Sequence, residues 1–326
     1  MALTIINAEL VRELLPMADC IDVMAQAMVA ASNGTISIPP RLTTPLIDNS
    51  GLFIFMPGSS QEIESYGAKV LSAHPGNPAK GLPLIQGFVI LFDHQSGAAV
   101  AIVEGAEITA IRTAAASGLA TRLLAREDVI RCGIFGTGVQ AVTHIDAMCA
   151  VRPVQEVLVW GRDFARTRIF ANQQSARTGL NVRACKEPAE VGACELICTV
   201  TGSTKPVLLG SWLQAGVHVN LVGSHTLVTR EADTDLIVKS AVYVDLMASV
   251  RNEGGDLMIP VQEGAVGEDH IIGEIGSLLS GAIPGRVDES QITLYNSLGI
   301  AAQDLFAAQH VYQLAQSKGL GVSVDF

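Results

Sequence analysis

"GIFGTGVQA", residues 133–141, decides the fold. It closes the apolar run VIRCGIF and opens the helix-like run VQAVTHIDAMCA, so a glycine-rich loop joins a strand to a helix. In that setting Gly136, Thr137, Gly138, Val139, Gln140 and Ala141 read as a G-x-G-x-x-A dinucleotide fingerprint. Gly136 makes the tight turn, Gly138 lets a pyrophosphate approach the backbone, and Ala141 permits close helix–strand packing. The N–H groups of Val139 and Gln140, at the positive end of the helix dipole, would face the phosphates.

Downstream of this loop, strand signals (EVLVW, VRAC, LICTV, VHVNLVG) alternate with helical stretches such as FARTRIFANQQSA, and AVYVD and ITLYN extend the series. Such alternation implies crossover units and a parallel sheet, a doubly wound Rossmann domain. The second strand should end near the adenine ribose, and there Arg162 follows Gly161, with Asp163 next and Arg166 a turn beyond. An arginine pairs bidentately with a 2′-phosphate and favours NADP(H). Asp163 keeps NAD(H) open, either as a ribose ligand or as the N-cap of the next helix. Thr199 and Val200, which end the run LICTV, Thr201 just after it, and Gly223, which ends VHVNLVG, are further cofactor candidates.

Upstream, residues 7–33 carry apolar residues at helical spacing, with Asn7 as a possible N-cap, a break at Pro16 and a stop at Gly34, and predict two short helices. From Leu52 the pattern turns to strands: LFIFMPG, SYGAKVLSA, then QGFVILF and AAVAIVEG joined by the hairpin connection DHQSG. A helix rich in small residues follows at 107–125, and the chain closes with a helix over 299–319 capped by Gly319. The reading is an α/β protein: a Rossmann domain over 116–299, preceded by an α+β unit over 1–115.

Composition narrows the function classes. Hydrophobic residues make up 49% of the 326 and charged ones 16%, as in a well-packed enzyme. A formal net charge of −11 repels a phosphate backbone, which argues against nucleic acid. The most apolar stretch, 87–103, is interrupted by DHQSG and falls short of the roughly 20 residues a membrane helix needs. Glu9, Arg12 and Glu13 stand where a secretory signal would be apolar, so a cytoplasmic protein is expected. The six cysteines lack a C-x-x-C pair and read as buried thiols, with no metal site.

A nicotinamide enzyme acting on an acid needs a cation for the carboxylate and a proton donor beside the carbon that exchanges hydride. Arg41 in IPPRLTTP, Lys69 in YGAKVLSAHPGN and Arg112 in EITAIRTAAASG are the candidates. Lys69 sits in a strand between Ala68 and Val70, where desolvation would lower its pKa toward neutrality. Arg112 is set in an otherwise nearly uncharged helix.

Four separated motifs, GAKVLSAHPGNPAKGLP, EITAIRTAAASGLA, GTGVQA and NSLGIAAQD, span nearly the whole chain in this order. Together they resemble the ornithine cyclodeaminase/μ-crystallin family, which includes ornithine cyclodeaminases, ketimine reductases, some alanine dehydrogenases and a hormone-binding crystallin. The resemblance implies a homodimer whose substrate and dimerisation domain is built from 1–115 and 300–326, with Arg41 and Lys69 on the substrate carboxylate and Lys69 near the proton transfer. It places Arg112 between substrate and cofactor phosphate, and Ser297 near the nicotinamide.

The departures from the family bear on the reaction. Ornithine cyclodeaminases carry an Asp in a stretch resembling G-G-D-x-P-G-K, which acts on the amino groups during cyclisation. Here VGSHTLVTRE, 222–231, has His225 at that position and neither the Pro nor the Lys. His225 is a candidate for a proton relay, although a lone loop histidine is more often solvated. The expectation is therefore NAD(P)H-dependent reduction of a cyclic imine, Δ1-pyrroline-2-carboxylate or Δ1-piperideine-2-carboxylate, to L-proline or L-pipecolate. The alternatives are an ornithine cyclodeaminase or alanine dehydrogenase of the same fold, or a crystallin-like binding protein without catalysis.

Overall fold

Side chains that alternate between apolar and accessible build the first sheet, and a run of short, almost wholly buried strands builds the second. The computed structural model describes residues 2–325. Two compact units divide the chain, one from 1–112 with 299–326 and the other from 113–298.

The first unit holds strands β1 (Ala2–Ile6), β2 (Ile36–Ser37), β3 (Leu42–Pro45), β4 (Leu52–Ser60), β5 (Ser65–Ala73), β6 (Ile85–Asp93) and β7 (Ala99–Glu104). Helices α1 (Ala8–Leu14) and α2 (Met17–Asn33) lie between β1 and β2, and α3 (Gly105–Leu124) follows β7. The Asn7 side chain caps α1 by accepting from the Leu10 N–H, and Gly34 ends α2 in the left-handed region. β4 to β7 form an antiparallel meander, with β2 and β3 both paired to β4. β1 joins β7 in parallel, and the chain returns to pair β16 (Val322–Asp325) with β1.

Cross-strand partners share a face of a sheet. Met56, Lys69, Val89 and Val103 therefore form one row, and all four are buried. This inner face is covered by α11 (Ala301–Lys318), which also packs on α2. The opposite row, Phe55, Val70 and Phe88, is partly exposed.

The second unit is a parallel sheet of β8 (Arg131–Phe135), β9 (Glu156–Trp160), β10 (Asn181–Ala184), β11 (Leu196–Thr199), β12 (His218–Leu221), β13 (Ser240–Val244), β14 (Ile271–Glu274) and β15 (Ile292–Asn296). Their order is β10-β9-β8-β11-β12-β15-β13-β14, so the winding reverses between β8 and β11. Helices α4 (Val139–Val151), α5 (Phe164–Thr178), α6 (Pro188–Gly192), α7 (Thr234–Lys239), α8 (Met247–Glu253), α9 (Gly255–Gln262) and α10 (Ile275–Leu279) fill the crossovers. Parallel strands must be covered on both faces, and β11 and β12 are accordingly buried at every residue. This is the α/β Rossmann architecture expected from the alternating pattern. Among the described residues no single helix is long and apolar enough to cross a membrane.

Candidate active site

In the first unit, β5 carries Lys69 at its centre, on the face that α11 covers, and only 1% of the residue is exposed. An isolated ammonium there would be costly, and α11 supplies the counter-charge. Asp304 lies in the first turn of α11, where the helix dipole favours a carboxylate. The Lys69 Nζ is 2.8 Å from both oxygens of that fully buried carboxylate. α3 contributes Arg112, whose Nε donates to Asp304 Oδ1 at 2.8 Å and whose Nη1 donates to Gln303 Oε1 at 2.5 Å. Arg41, between β2 and β3, donates to the Gly299 carbonyl at 2.7 Å.

One buried carboxylate thus serves two buried cations, with a third cation held two residues before α11 begins. Burial pulls the Lys69 pKa down from 10.5 to about 7, the Arg112 charge pulls the same way, and Asp304 opposes both. The result is an amine that exchanges its proton near neutrality, beside guanidinium groups able to hold a carboxylate. Arg41, Lys69 and Arg112, far apart in the chain, are brought together around the NSLGIAAQD motif. Gln303 and Asp304 were not singled out by the sequence reading. The signal for them was an acid inside AAQDLFAAQ, on a helix whose first eight residues are all buried.

In the second unit, the fingerprint loop lies where the strand order reverses, the position at which open α/β sheets bind ligands. Gly136 follows β8 with φ +124°, and a Cβ there would lie 2.8 Å from the Val200 carbonyl oxygen, so only glycine makes this turn. Gly138 is the N-cap of α4 and makes no side-chain cap, so the first turn, from Val139 onward, has no capping side chain at the positive end of the helix dipole. A Cβ on Gly138 would meet nothing within 4 Å, which leaves room beside Thr137 and Val139 for a phosphate group.

Arg162 follows β9 and is exposed. The Asp163 carboxylate is turned back onto α5 as its N-cap, accepting from Ala165 N at 2.9 Å and Arg166 N at 3.1 Å. Asp163 performs the helix-cap role, with both bonds made to Oδ1. Thr199, Val200 and Thr201 leave the end of β11, Gly223 lies just past β12, and Ser297 just past β15. The Ser297 hydroxyl and Asn296 Oδ1 are buried and have no hydrogen-bond partner among the described residues. A helix N-terminus with no capping side chain, a turn that admits only glycine and orphaned polar atoms at carboxyl strand ends fit a dinucleotide. His225 sits exposed in the loop between β12 and α7.

Another residue in this loop was missed by the sequence reading. Glu231, fully buried, accepts hydrogen bonds from Thr199, Thr201 and Gly223, and Asp256 on α9 accepts from the Glu231 and Ala232 N–H groups. Burial, followed by the neighbouring Glu231 charge, raises the Asp256 pKa to about 7.

Comparison with known proteins agrees with this geometry. The chain is 33% identical over 324 residues to a Δ1-pyrroline-2-carboxylate reductase of Bacillus cereus, covering 99% of both chains. It is 34% identical over 281 residues to the ketimine reductase mu-crystallin of Mus musculus, covering 86% of each. The solved Δ1-pyrroline-2-carboxylate reductase of Thermococcus litoralis, in complex with NADH and L-proline, superposes with a TM-score of 0.95 at 33% identity, over 99% of this chain and 100% of that one. The model of the ornithine cyclodeaminase/mu-crystallin family matches residues 2–319, and the chain belongs to that family.

Proposed function

We propose that this protein is an NAD(P)H-dependent oxidoreductase that reduces a cyclic imine, Δ1-pyrroline-2-carboxylate or Δ1-piperideine-2-carboxylate, to L-proline or L-pipecolate. The observation that carries the reading is Lys69, buried on the sheet with its pKa near 7 and its ammonium clasped by Asp304 beside Arg112. Arg41 holds the substrate carboxylate, and Arg112 lies between substrate and coenzyme. Lys69 keeps a proton at the ring nitrogen, so that the C=N carbon is electrophilic when it is attacked. The nicotinamide, when bound, supplies the hydride. As the C=N π bond breaks, its electrons go to nitrogen, which retains the proton from Lys69 and becomes the secondary amine. An imine needs little further activation, so orientation by the two arginines and exclusion of water supply much of the rest.

The coenzyme reading favours NADPH. Asp163 is engaged as a helix cap, while Arg162 stands exposed beyond β9 where a 2′-phosphate would lie. The test is steady-state reduction of both cyclic imines with each coenzyme across the neutral pH range. Turnover of at least one ring is expected, with higher kcat/KM for NADPH; no turnover of either ring would overturn the function, and a clear preference for NADH the role of Arg162. Lys69→Ala should lose about 100-fold or more in kcat, the usual scale for a positioned acid. We further infer a homodimer joined through the accessible face of the first sheet, and a cytoplasmic setting, in which the six free cysteines stay reduced.

A further inference from the structure

β11 and β12 run side by side, with Thr199 opposite Leu221, and their chains leave the sheet together at the carboxyl edge. Beyond that edge the Glu231 carboxylate is wedged between the two departing segments. Its Oε2 accepts from the Thr199 hydroxyl at 2.7 Å and from the Gly223 N–H at 2.6 Å. Its Oε1 accepts from the Thr201 N–H at 2.7 Å and the Thr201 hydroxyl at 2.5 Å. The two segments are drawn so close that a Cβ on Gly223 would lie 2.0 Å from the Thr201 carbonyl oxygen and 2.7 Å from the Glu231 carboxylate. Glu231 is itself fixed through its backbone: its N–H donates to Asp256 Oδ1, and its carbonyl accepts from Val207 and Leu208.

A fully buried carboxylate with four donors is a demanding way to join two loops, because every donor must be present to offset its desolvation. Its position suggests what it serves. Open α/β sheets bind ligands at these carboxyl ends. On the adjoining strand β15, Asn296 lies opposite Leu221, and its buried Oδ1 and the Ser297 hydroxyl have no partner. The braced loops and the orphaned polar atoms therefore border one another along the same strand ends.

We infer that Glu231 is a positioning residue for the coenzyme: it sets the backbone of Val200–Thr201 and Val222–Gly223 as a rigid floor for the nicotinamide half of the dinucleotide. The inference rests on the proposed coenzyme-dependent reduction. Glu231→Gln keeps the shape but turns an NH2 group against two of the present donors, which loosens both loops together.

The experiment measures NADH and NADPH binding by coenzyme fluorescence, the melting temperature of the coenzyme-free protein, and KM for coenzyme and for cyclic imine separately. Glu231→Gln should weaken coenzyme binding by about tenfold or more, the scale of one lost hydrogen bond to a charged group. The KM for imine at saturating coenzyme should stay within about twofold, below the effect of one lost hydrogen bond. Unchanged coenzyme binding with a lowered melting temperature would make Glu231 a plain structural brace and overturn the inference. Should Glu231→Gln fail to fold, Thr199→Val removes one donor of the four and should show a smaller selective loss of coenzyme binding; its absence there also overturns the inference. A wild-type protein that binds neither coenzyme would instead overturn the functional reading itself.

Discussion

In the proposed mechanism Lys69 and Asp304 tie pH to catalysis, and their burial ties it to stability. The folded chain holds the Lys69 proton only up to about pH 7, whereas the unfolded chain holds it up to 10.5. Between these values the unfolded state binds more protons, so the contribution of Lys69 to stability is least below pH 7 and rises through that window. Reduction needs the proton, so kcat/KM for the imine should fall as pH rises through about 7. Asp304 is the anion that opposes the decline in the Lys69 pKa. In Asp304→Asn the fall in kcat/KM should move to lower pH, because Arg112 then acts on Lys69 unopposed. The same change leaves two buried cations without their anion, a loss of about 3–5 kcal/mol by the usual cost of breaking a buried pair. Urea unfolding should show this loss below pH 7 and a smaller one at pH 9 to 10, roughly, where Lys69 is neutral. An unmoved pH profile would remove Asp304 from the chemistry. Lys69 and Arg112 were legible in the sequence as charges in apolar surroundings. Asp304 and Glu231 were not, because an acid on a helix or in a loop shows its role only when the strand it faces is known.

Among the elements, α3 shows how a helix end is secured by a residue from elsewhere. Its last turn leaves carbonyls that Gly or a basic side chain must satisfy, and no glycine follows Leu124. Arg152, at the end of α4, supplies the cation: its Nη2 donates to the carbonyls of Thr121, Arg122 and Ala125, its Nε to that of Arg126 and its Nη1 to that of Val151. Arg286 adds a bond from its Nε to the Leu124 carbonyl at 2.7 Å. Arg152→Met, which keeps the length and loses the donors, should lower stability by on the order of 3 kcal/mol, from several bonds to a charged group and the helix dipole. Thermal unfolding measures it, and a loss under about 1 kcal/mol would show that solvent replaces these bonds. Elements with a strong period were readable: β5, β9 and β15 fall at the residues their patterns mark. β3 and β16 were not, since each is only four residues long and wholly exposed, too short for a period to stand out and with no buried face to mark it. The segment from α8 into α9 was hidden by Gly254, Gly255 and Pro260, residues that usually end helices and here punctuate two short ones.

At the scale of the whole molecule, charge and apolar surface pull association in opposite directions. Leu42, Phe53, Phe55, Val70, Phe88 and Ile90 lie on one face of the first sheet, away from α11, and Leu42, Phe53 and Phe88 are 58%, 43% and 37% exposed. A contiguous apolar face of this kind marks an interface. Yet each chain carries a net charge of −11, so two copies repel as they approach. An interface held by apolar burial is barely weakened by salt, whereas repulsion between the two chains is screened over about 8–10 Å at physiological ionic strength. The proposed dimer should therefore tighten as salt is raised from low concentration, the reverse of an association built on surface ion pairs. Sedimentation velocity at low and moderate salt distinguishes the two, and dissociation on adding salt would rule out the apolar face as the contact. Phe53→Glu places a like charge from each copy in that face and should yield monomers. Because Phe53 points away from the Lys69 row, those monomers should keep the buried Lys69–Asp304–Arg112 cluster, and the neutral-range fall in kcat/KM should survive in whatever activity remains.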